Sequence, residues 1–424
     1  MHRIIIVGGG AGGLELMTKL ADTFNKSKDI SLLLIDKNLT HIWKPLLHEV
    51  ASSTLNLNDN EVNYIMHSYE HKYDYIQGSL VDIDKNKKNI SVEISSTLDK
   101  NNKKIEELSY DTLILALGSK SNDFNTPGVK ENCYFLDTKA EAENIYKYIY
   151  STYLDIRKKF IDLSQVYNVA IVGAGATGVE LITELVHLKK NLAETYFQET
   201  QKLSIQFTLI DASDRILSAL SEEISNEAEE VLSQMGVQIL KKHRVAKVDS
   251  ENIYFSDGSK IPADLKIWTA GIKAPEVIEK LEGFEKDNIG RLKVYATLQT
   301  YSDPNIFALG DCAHCQLDSK KPPLGARAQV ASQQAEFLAQ AIEYRLKDKS
   351  LPLFKFSDKG SIISLSQDNA IGEVFSNLNI YGTFARKAYE ALYRIHQINI
   401  HGVKNTYRLS QKDSINKSLL KKIF

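Results

Sequence analysis

Two glycine loops, 165 residues apart, restrict the folds open to this chain. Gly8-Gly9-Gly10-Ala11-Gly12-Gly13 follows the apolar run RIIIV at 3–7, and Gly173-Ala174-Gly175-Ala176-Thr177-Gly178 follows NVAIV at 168–172. Helical spacing continues at 14–24 and from about 177. A second apolar strand then closes each unit, at 31–36 ending in Asp36 and at 205–211 ending in Asp211. A repeat at this separation is a duplicated unit, because solenoid repeats recur every 20–50 residues or so.

Both loops fit G-x-G-x-x-G. In that spacing the first glycine permits a tight turn, the second lets the backbone approach a pyrophosphate, and the third lets helix and strand pack closely. The helix N-terminus offers unpaired N–H groups and a positive dipole end to phosphate. An acid closing the second strand accepts hydrogen bonds from a ribose. Asp36 and Asp211 fill that place, slightly later than the usual spacing of about 20 residues. A carboxylate at Asp211 favours NADH over NADPH, whose 2′-phosphate it would repel. Arg215 sits beside Asp214 and reads as half of a surface ion pair. Two dinucleotide sites in one chain suit a bound flavin and a nicotinamide, with hydride passing from NADH to FAD.

Strand-like and helix-like runs alternate through most of the chain, which predicts an α/β fold with parallel sheets. Further strands are expected at 110–117, 264–271 and 305–311, a polar hairpin at 89–110, and another hairpin at 252–258. From 356 the pattern changes to short strands at about 361–375 and then amphipathic helix. At 424 residues the chain is long enough for two or three domains. Its 43% hydrophobic content excludes a disordered protein, and a net charge of −2 argues against a nucleic-acid binder. Three cysteines fit a reducing, intracellular compartment rather than a disulfide scaffold.

The sequence resembles the two-dinucleotide flavoprotein reductases in VGGGAGGLE at the N-terminus, LILALGS at 113–119 and NIFALGDCA at 305–313. Within them it is most similar to the type II NADH:quinone oxidoreductases, the non-pumping NADH dehydrogenases of respiratory chains. HIWKPLLHEVA (41–51), GATGVELITEL (175–185), RAQVASQQA (327–335), and GSIISLSQDNAIGE (360–373) with LYRIHQINIHG (392–402) carry this likeness. The resemblance implies two Rossmann-like domains, for FAD and NAD, and a C-terminal amphipathic, membrane-associated region. The FAD domain would take 1–120 and 291–355, and the NADH domain 121–290 with its core at about 168–271; the membrane and quinone side would take 356–424. It also implies reduction of a membrane quinone, such as ubiquinone, by NADH through FAD.

The same resemblance assigns residues. Gly8, Gly10, Gly12, Gly13, Asp36, Lys37, Lys44, Ala116, Gly118, Gly310, Asp311 and Ala331 would hold FAD. Gly173, Gly175, Gly178, Glu180, Asp211 and Gly271 would hold NADH. Glu180 would lie near the nicotinamide and the quinone pocket, where the bland alternative is a first-turn carboxylate stabilised by the helix dipole. Lys44 would stabilise reduced, anionic flavin, or be only a surface lysine. Gln329, Gln333 and Gln334 would offer amide donors to quinone carbonyls, although the segment also passes for an ordinary helix face. Glu180, Gln333 and Lys44 are thus the candidate catalytic residues. His41, His48, His396 and His401 read as structural.

Cys312-Ala313-His314-Cys315 has the spacing of a redox dithiol or half a zinc site. No second ligand pair accompanies it, and the early position where disulfide reductases carry cysteines reads Trp43-Lys44-Pro45. A structural pair is expected, and no metal. The polar stretch 95–109 is individual to this chain.

The near-zero charge conceals a division. Residues 386–424 hold nine Lys/Arg and two Asp/Glu, or +7, while 1–385 carry −9. Phe384, Ala388, Leu392, Ile395 and Ile398 recur at helical spacing, and Ile415, Leu419 and Ile423 form a second stripe. A basic amphipathic helix of this kind suits an anionic membrane surface, the alternative being a helix packed on its own protein. The expectation is a peripheral enzyme on the cytoplasmic face of the inner (plasma) membrane, with room for a homodimer. Soluble NAD(P)H-dependent reduction of a small redox protein is the competing reading, and a redox sensor with negligible turnover a third.

Overall fold

The computed structural model describes residues 1–55, 60–96, 99, 101–158, 160, 166–195, 204–366, 368–375 and 378–423, with the side chains of 157, 193–195 and 413–423 excepted. The stripe Ile415, Leu419 and Ile423 therefore lies outside the described side chains.

The runs IIIV and LLLI are apolar on both faces, so their strands must be covered on both sides. His2–Val7 and Ile30–Asp36 pair in parallel, with Ile4 opposite Leu32 and Val7 opposite Ile35. They sit inside an eight-stranded sheet whose order across the sheet is Ala313–Cys315, Leu292–Val294, Gln299–Thr300, Asp303–Ala308, Thr112–Leu115, His2–Val7, Ile30–Asp36, Asp74–Gln77. Strands from the beginning of the chain thus share one sheet with strands from beyond residue 290. The first loop helix, Ala11–Phe24, packs against the helix Ala328–Leu346. This packing brings the AQVASQQ segment beside the first glycine loop.

The second unit builds its own five-stranded parallel sheet, ordered Tyr134–Phe135, Leu265–Trp268, Val166–Val172, Ser204–Ile210, Val237–Leu240. The chain leaves the first sheet through Lys120–Ser121 and returns through Ile272–Lys273. These two segments pair antiparallel, Lys120 opposite Lys273, and lie side by side between the sheets. The expected hairpins are present as parts of two three-stranded antiparallel sheets. One joins Ser79–Asp84, Asn89–Ser95 and Lys103–Ser109; the other joins Val245–Val248, Asn252–Phe255 and Lys260–Pro262.

A last antiparallel sheet, Gly360–Ser364, Ala370–Val374 and Leu378–Tyr381, leads into the C-terminal helix Gly382–Ile423. Gly402, at φ 72° and ψ 166°, breaks that helix into two lengths. Its inward face is polar as well as apolar. Arg386, Tyr389, His396, Gln397 and Ile400 are buried, while Phe384, Leu392, Ile395 and Ile398 are 68%, 40%, 53% and 38% exposed. The periodic stripe therefore faces outward, the reverse of a helix that buries its apolar side in its own protein.

Candidate active site

All but one of the glycines of the first loop meet an obstacle, each a different one. Gly8 adopts φ +104°, and a Cβ there would lie 2.3 Å from the Ala116 carbonyl oxygen. A Cβ on Gly13 would lie 1.9 Å from the Gly8 oxygen, and one on Gly12 would strike Leu309 at 2.4 Å and approach Ala331. Gly10 alone in this motif faces open space. The second loop repeats the pattern. Gly173 (φ +110°) is closed by Ala270, Gly178 by the Gly173 oxygen at 1.8 Å, and Gly175 faces open space. At the three G-x-G-x-x-G positions, two closed glycines and one open one are what a loop needs if a phosphate is to reach its backbone. Both cradles fit a dinucleotide.

The acids hold these loops as well as facing them. Asp36 accepts from Gly9 N at 2.7 Å and from Asn38 N at 2.8 Å. Burial pushes its carboxyl upward, opposed by those N–H donors. Asp211 accepts from Ala174 N and Ser213 N, both at 2.7 Å. Arg215 does not pair with Asp214 as expected. Its guanidinium donates to the carbonyls of Leu220 at 2.8 Å and Ser218 at 2.9 Å, which engages two of its five N–H donors.

Around the first cradle the structure gathers Ala116, Gly118, Gly310, Asp311 and Ala331. Asp311 accepts from Ser119 Oγ at 2.8 Å, and Gly310 N donates to Gln334 Oε1 at 2.7 Å. Gly310, at φ +69°, lies against Ala331, and Gly118 takes φ +68° with open space where a side chain would stand. Lys37 is exposed at the rim. Lys44 is tied to the same group: its ammonium donates to Ser119 O and to Asp137 Oδ1, each at 3.1 Å. Gly271 (φ +64°), at the second cradle, is hemmed by the Phe124 ring.

Two of the glutamines differ from expectation. Gln333 exchanges both amide hydrogen bonds with the backbone of Ser357, at 2.8 and 3.0 Å. Gln329 donates to Gly360 O at 2.8 Å and to Asp358 Oδ1 at 3.1 Å, and accepts from Lys359 N at 3.2 Å. These amides fasten the 357–360 segment to the helix and do not stand free as donors to a ligand. Gln334 is buried and holds the Gly310 backbone. The cysteine pair lies inside the first core. Burial pushes both the Cys312 and Cys315 thiols up to about 11, so neither is a thiolate at neutral pH.

Glu180 stands where the second loop helix, Ala176–Thr195, meets three other elements. Its Oε1 accepts from Ser364 N at 3.1 Å, and its Oε2 lies 3.6 Å from His48 Nδ1. Burial, then the nearby Glu49 charge, pushes its carboxyl up to about 8. Burial holds His48 down at about 4, so both partners are neutral at pH 7 and their approach is not an ion pair. The cation here is Arg386, which donates to Ser364 Oγ at 2.6 Å and to Glu49 Oε1 at 3.3 Å. Glu180 is therefore a buried carboxyl and not simply a first-turn carboxylate stabilised by the helix dipole.

Sequence reasoning missed two anchors. Tyr64 Oη donates to Gly9 O at 2.6 Å, bracing the first loop from outside. Glu15, buried on the first loop helix, accepts from Ser332 Oγ at 2.6 Å and Asn399 Nδ2 at 2.9 Å, and lies 2.6 Å from His396 Nδ1. His396 Nε2 is in turn 3.0 Å from His41 Nε2. A glutamate at an inward helical position was the available signal, since a buried carboxylate requires donors.

Residues 2–335 match the pyridine nucleotide-disulphide oxidoreductase family. The chain is 36% identical to the type II NADH:quinone oxidoreductase of Haemophilus influenzae, over 99% of its own length and 98% of that protein's. It is 28% identical to a type II NADH:quinone oxidoreductase of Staphylococcus aureus, over 88% of this chain and 90% of that one. In fold it is similar to the structure of NDH2 from Plasmodium falciparum in complex with NADH, with a TM-score of 0.81 and 21% identity, covering 94% of this chain and 96% of that chain.

Proposed function

The chain belongs to the pyridine nucleotide-disulphide oxidoreductase family and, within it, to the type II NADH:quinone oxidoreductases, and we propose on that premise how its own residues carry the reaction. It is an FAD-dependent enzyme that takes hydride from NADH and delivers two electrons to a quinone without pumping protons. FAD, when bound, supplies the two-electron carrier between the two substrates.

One observation carries the residue assignment: the open faces at Gly10 and Gly175 occur once in each loop, and each loop is closed by its own acid. Gly8, Gly12 and Gly13 shape the FAD cradle. Asp36 receives the ribose, Asp311 the ribityl–phosphate region, and Ala331 leaves room beside Gly310. Gly173, Gly175 and Gly178 shape the NADH cradle. Asp211 accepts from the ribose hydroxyls, and with Arg215 held by carbonyls NADH is preferred over NADPH. Lys44, fixed by Asp137, sets a cation at the edge of the flavin site. Glu180 is a neutral carboxylic acid at pH 7 and serves as a hydrogen-bond and proton donor beside the quinone. Quinone contact by Gln329 or Gln333 exchanges with their bonds to 357–360.

The outward stripe of the C-terminal helix is the membrane-docking surface in this reading. Among the described residues no helix is long and apolar enough to cross a membrane. Phe384, Leu392, Ile395 and Ile398 would enter the interface, with exposed Lys387, Lys404, Arg408 and Lys412 toward anionic headgroups. Placement on the cytoplasmic face is part of this reading. Truncation before the helix does not isolate this surface, because it also strips Arg386 from Glu49 and His396 from Glu15. Point changes do. Ile395→Glu/Ile398→Glu is expected to lower co-sedimentation with anionic vesicles by at least about tenfold, and reduction of a long-chain quinone with it, while NADH oxidation by a soluble dye stays within about twofold. Undiminished vesicle binding contradicts the assignment.

A further inference from the structure

Glu184 is a buried carboxyl to which the reaction as described gives no task. It lies one helical turn beyond Glu180, on the same face of the helix Ala176–Thr195. Its Oε2 accepts from Thr54 Oγ1 at 3.3 Å and from Ser52 Oγ at 3.4 Å, and the two hydroxyl oxygens are 2.9 Å apart. Ser52 is buried, Thr54 is half-buried and Ser53 is exposed. The hydroxyls, which also donate to the Glu49 carbonyl at 3.2 and 3.3 Å, thus link Glu184 to the half-buried Thr54. At the inner end the Tyr389 hydroxyl, 6% exposed, lies against Glu180.

Among the described residues, the polar and charged groups facing this pair come from three other elements. The short helix Leu47–Ala51 contributes His48 and Glu49. The strand Gly360–Ser364 contributes Ser364, and the C-terminal helix contributes Arg386, Tyr389 and Glu390. Arg386, the cation of this cluster, is committed to Glu49 and stands 3.7 Å from Glu390. Burial and the Glu49 charge push Glu180 up to about 8 and Glu184 up to about 7. Two adjacent acids therefore hold protons near neutral pH, one of them hydrogen-bonded to the half-buried Thr54 hydroxyl.

Quinone reduction needs such a proton. NADH and quinone yield NAD⁺ and quinol only if one further H⁺ is taken up, because hydride brings two electrons and a single proton. We propose that Glu184, with Ser52 and Thr54, is the arm that loads solvent protons onto Glu180 for quinone reduction. This rests on the NADH:quinone reading above. The Glu180 O–H bond breaks as the quinone oxygen gains its proton. Glu184 then reprotonates Glu180, and water restores Glu184 through Thr54. NADH remains the reductant and quinone the oxidant.

The test uses the holoenzyme with two acceptors: a quinone analogue, which takes protons with its electrons, and ferricyanide, which takes electrons alone. Glu184→Gln is expected to slow quinone reduction at least about tenfold near pH 7.5, with the deficit deepening as pH rises, and to leave ferricyanide reduction within about twofold. Glu184→Asp restores part of the loss, and Thr54→Val gives a smaller loss of the same kind. Infrared spectra of the wild type between about pH 6 and 9 show a protonated-carboxyl band that loses intensity in Glu184→Gln. Equal losses with both acceptors, an unchanged quinone rate across that pH range, or an unchanged carboxyl band overturn the proposal. A wild type that reduces ferricyanide but not quinone overturns the quinone reading itself, and shows this without any variant.

Discussion

Valine at Gly10 is expected to give a folded protein that has lost its flavin. Gly10 has φ −66° and ψ −172°, a backbone conformation open to any residue, and no atom lies within 4 Å of where its Cβ would be. The folded chain therefore tolerates the side chain, whereas a pyrophosphate approaching the loop does not. The purified variant should keep the circular dichroism and melting temperature of the wild-type apoprotein, appear colourless, and oxidise NADH at least about a hundredfold more slowly. Gly175→Val should stay yellow and lose NADH binding instead. Alanine at Gly13 behaves differently, because its Cβ would meet the Gly8 carbonyl at 1.9 Å and the fold itself must shift. If Gly10→Val retains a full complement of FAD, the cradle lies elsewhere.

Arg386→Met should destabilise the protein by about 3–5 kcal/mol, the usual consequence of leaving a buried charge without its partner. Arg386 joins the C-terminal helix to Glu49 and to Ser364 Oγ from a site where it is only 7% exposed. The double variant Glu49→Gln/Arg386→Met should recover most of the loss, because a removed pair leaves no orphan charge. Chemical denaturation measures both. The pH dependence follows from Glu180 and Glu184. Their folded-state values, about 8 and about 7, lie above the ordinary 4.5. Unfolding between those limits releases protons, so their contribution is most favourable below about pH 4.5 and is lost as pH rises toward 8. For Glu180 the span amounts to at most about 5 kcal/mol. Glu180→Gln should accordingly flatten the fall in stability between about pH 4.5 and 8.

The two glycine loops were legible because their pattern is written in contiguous residues. A strand, three glycines, a helix and a closing acid lie within one short stretch, and each glycine has its own steric reason. The same holds for the alternation of strands and helices that predicted the α/β fold. Residues joined only by folding were less legible. Glu15 meets His396 across 381 positions, and Glu49 meets Arg386 across 337. No local spacing announces either bond. The C-terminal stripe shows both cases in one element. Its period predicted the helix, but only the burial of Arg386, Tyr389 and His396 on the opposite side shows that the stripe faces outward. Gln329 and Gln333 illustrate the converse, since free amides in a motif were already bonded to 357–360. Arg215, expected beside Asp214, found better acceptors in two carbonyls three and five residues ahead.

One chain carries hydride from NADH through FAD to a quinone. Anaerobic titration of the purified yellow protein tests it most directly. One equivalent of NADH per flavin should bleach the visible absorption, and NADPH at equal concentration should do so at least about tenfold more slowly. One equivalent of a quinone analogue should then restore the colour. Flavin that stays oxidised in the presence of NADH, or reduced flavin that is reoxidised by a small redox protein but not by the quinone, contradicts the account.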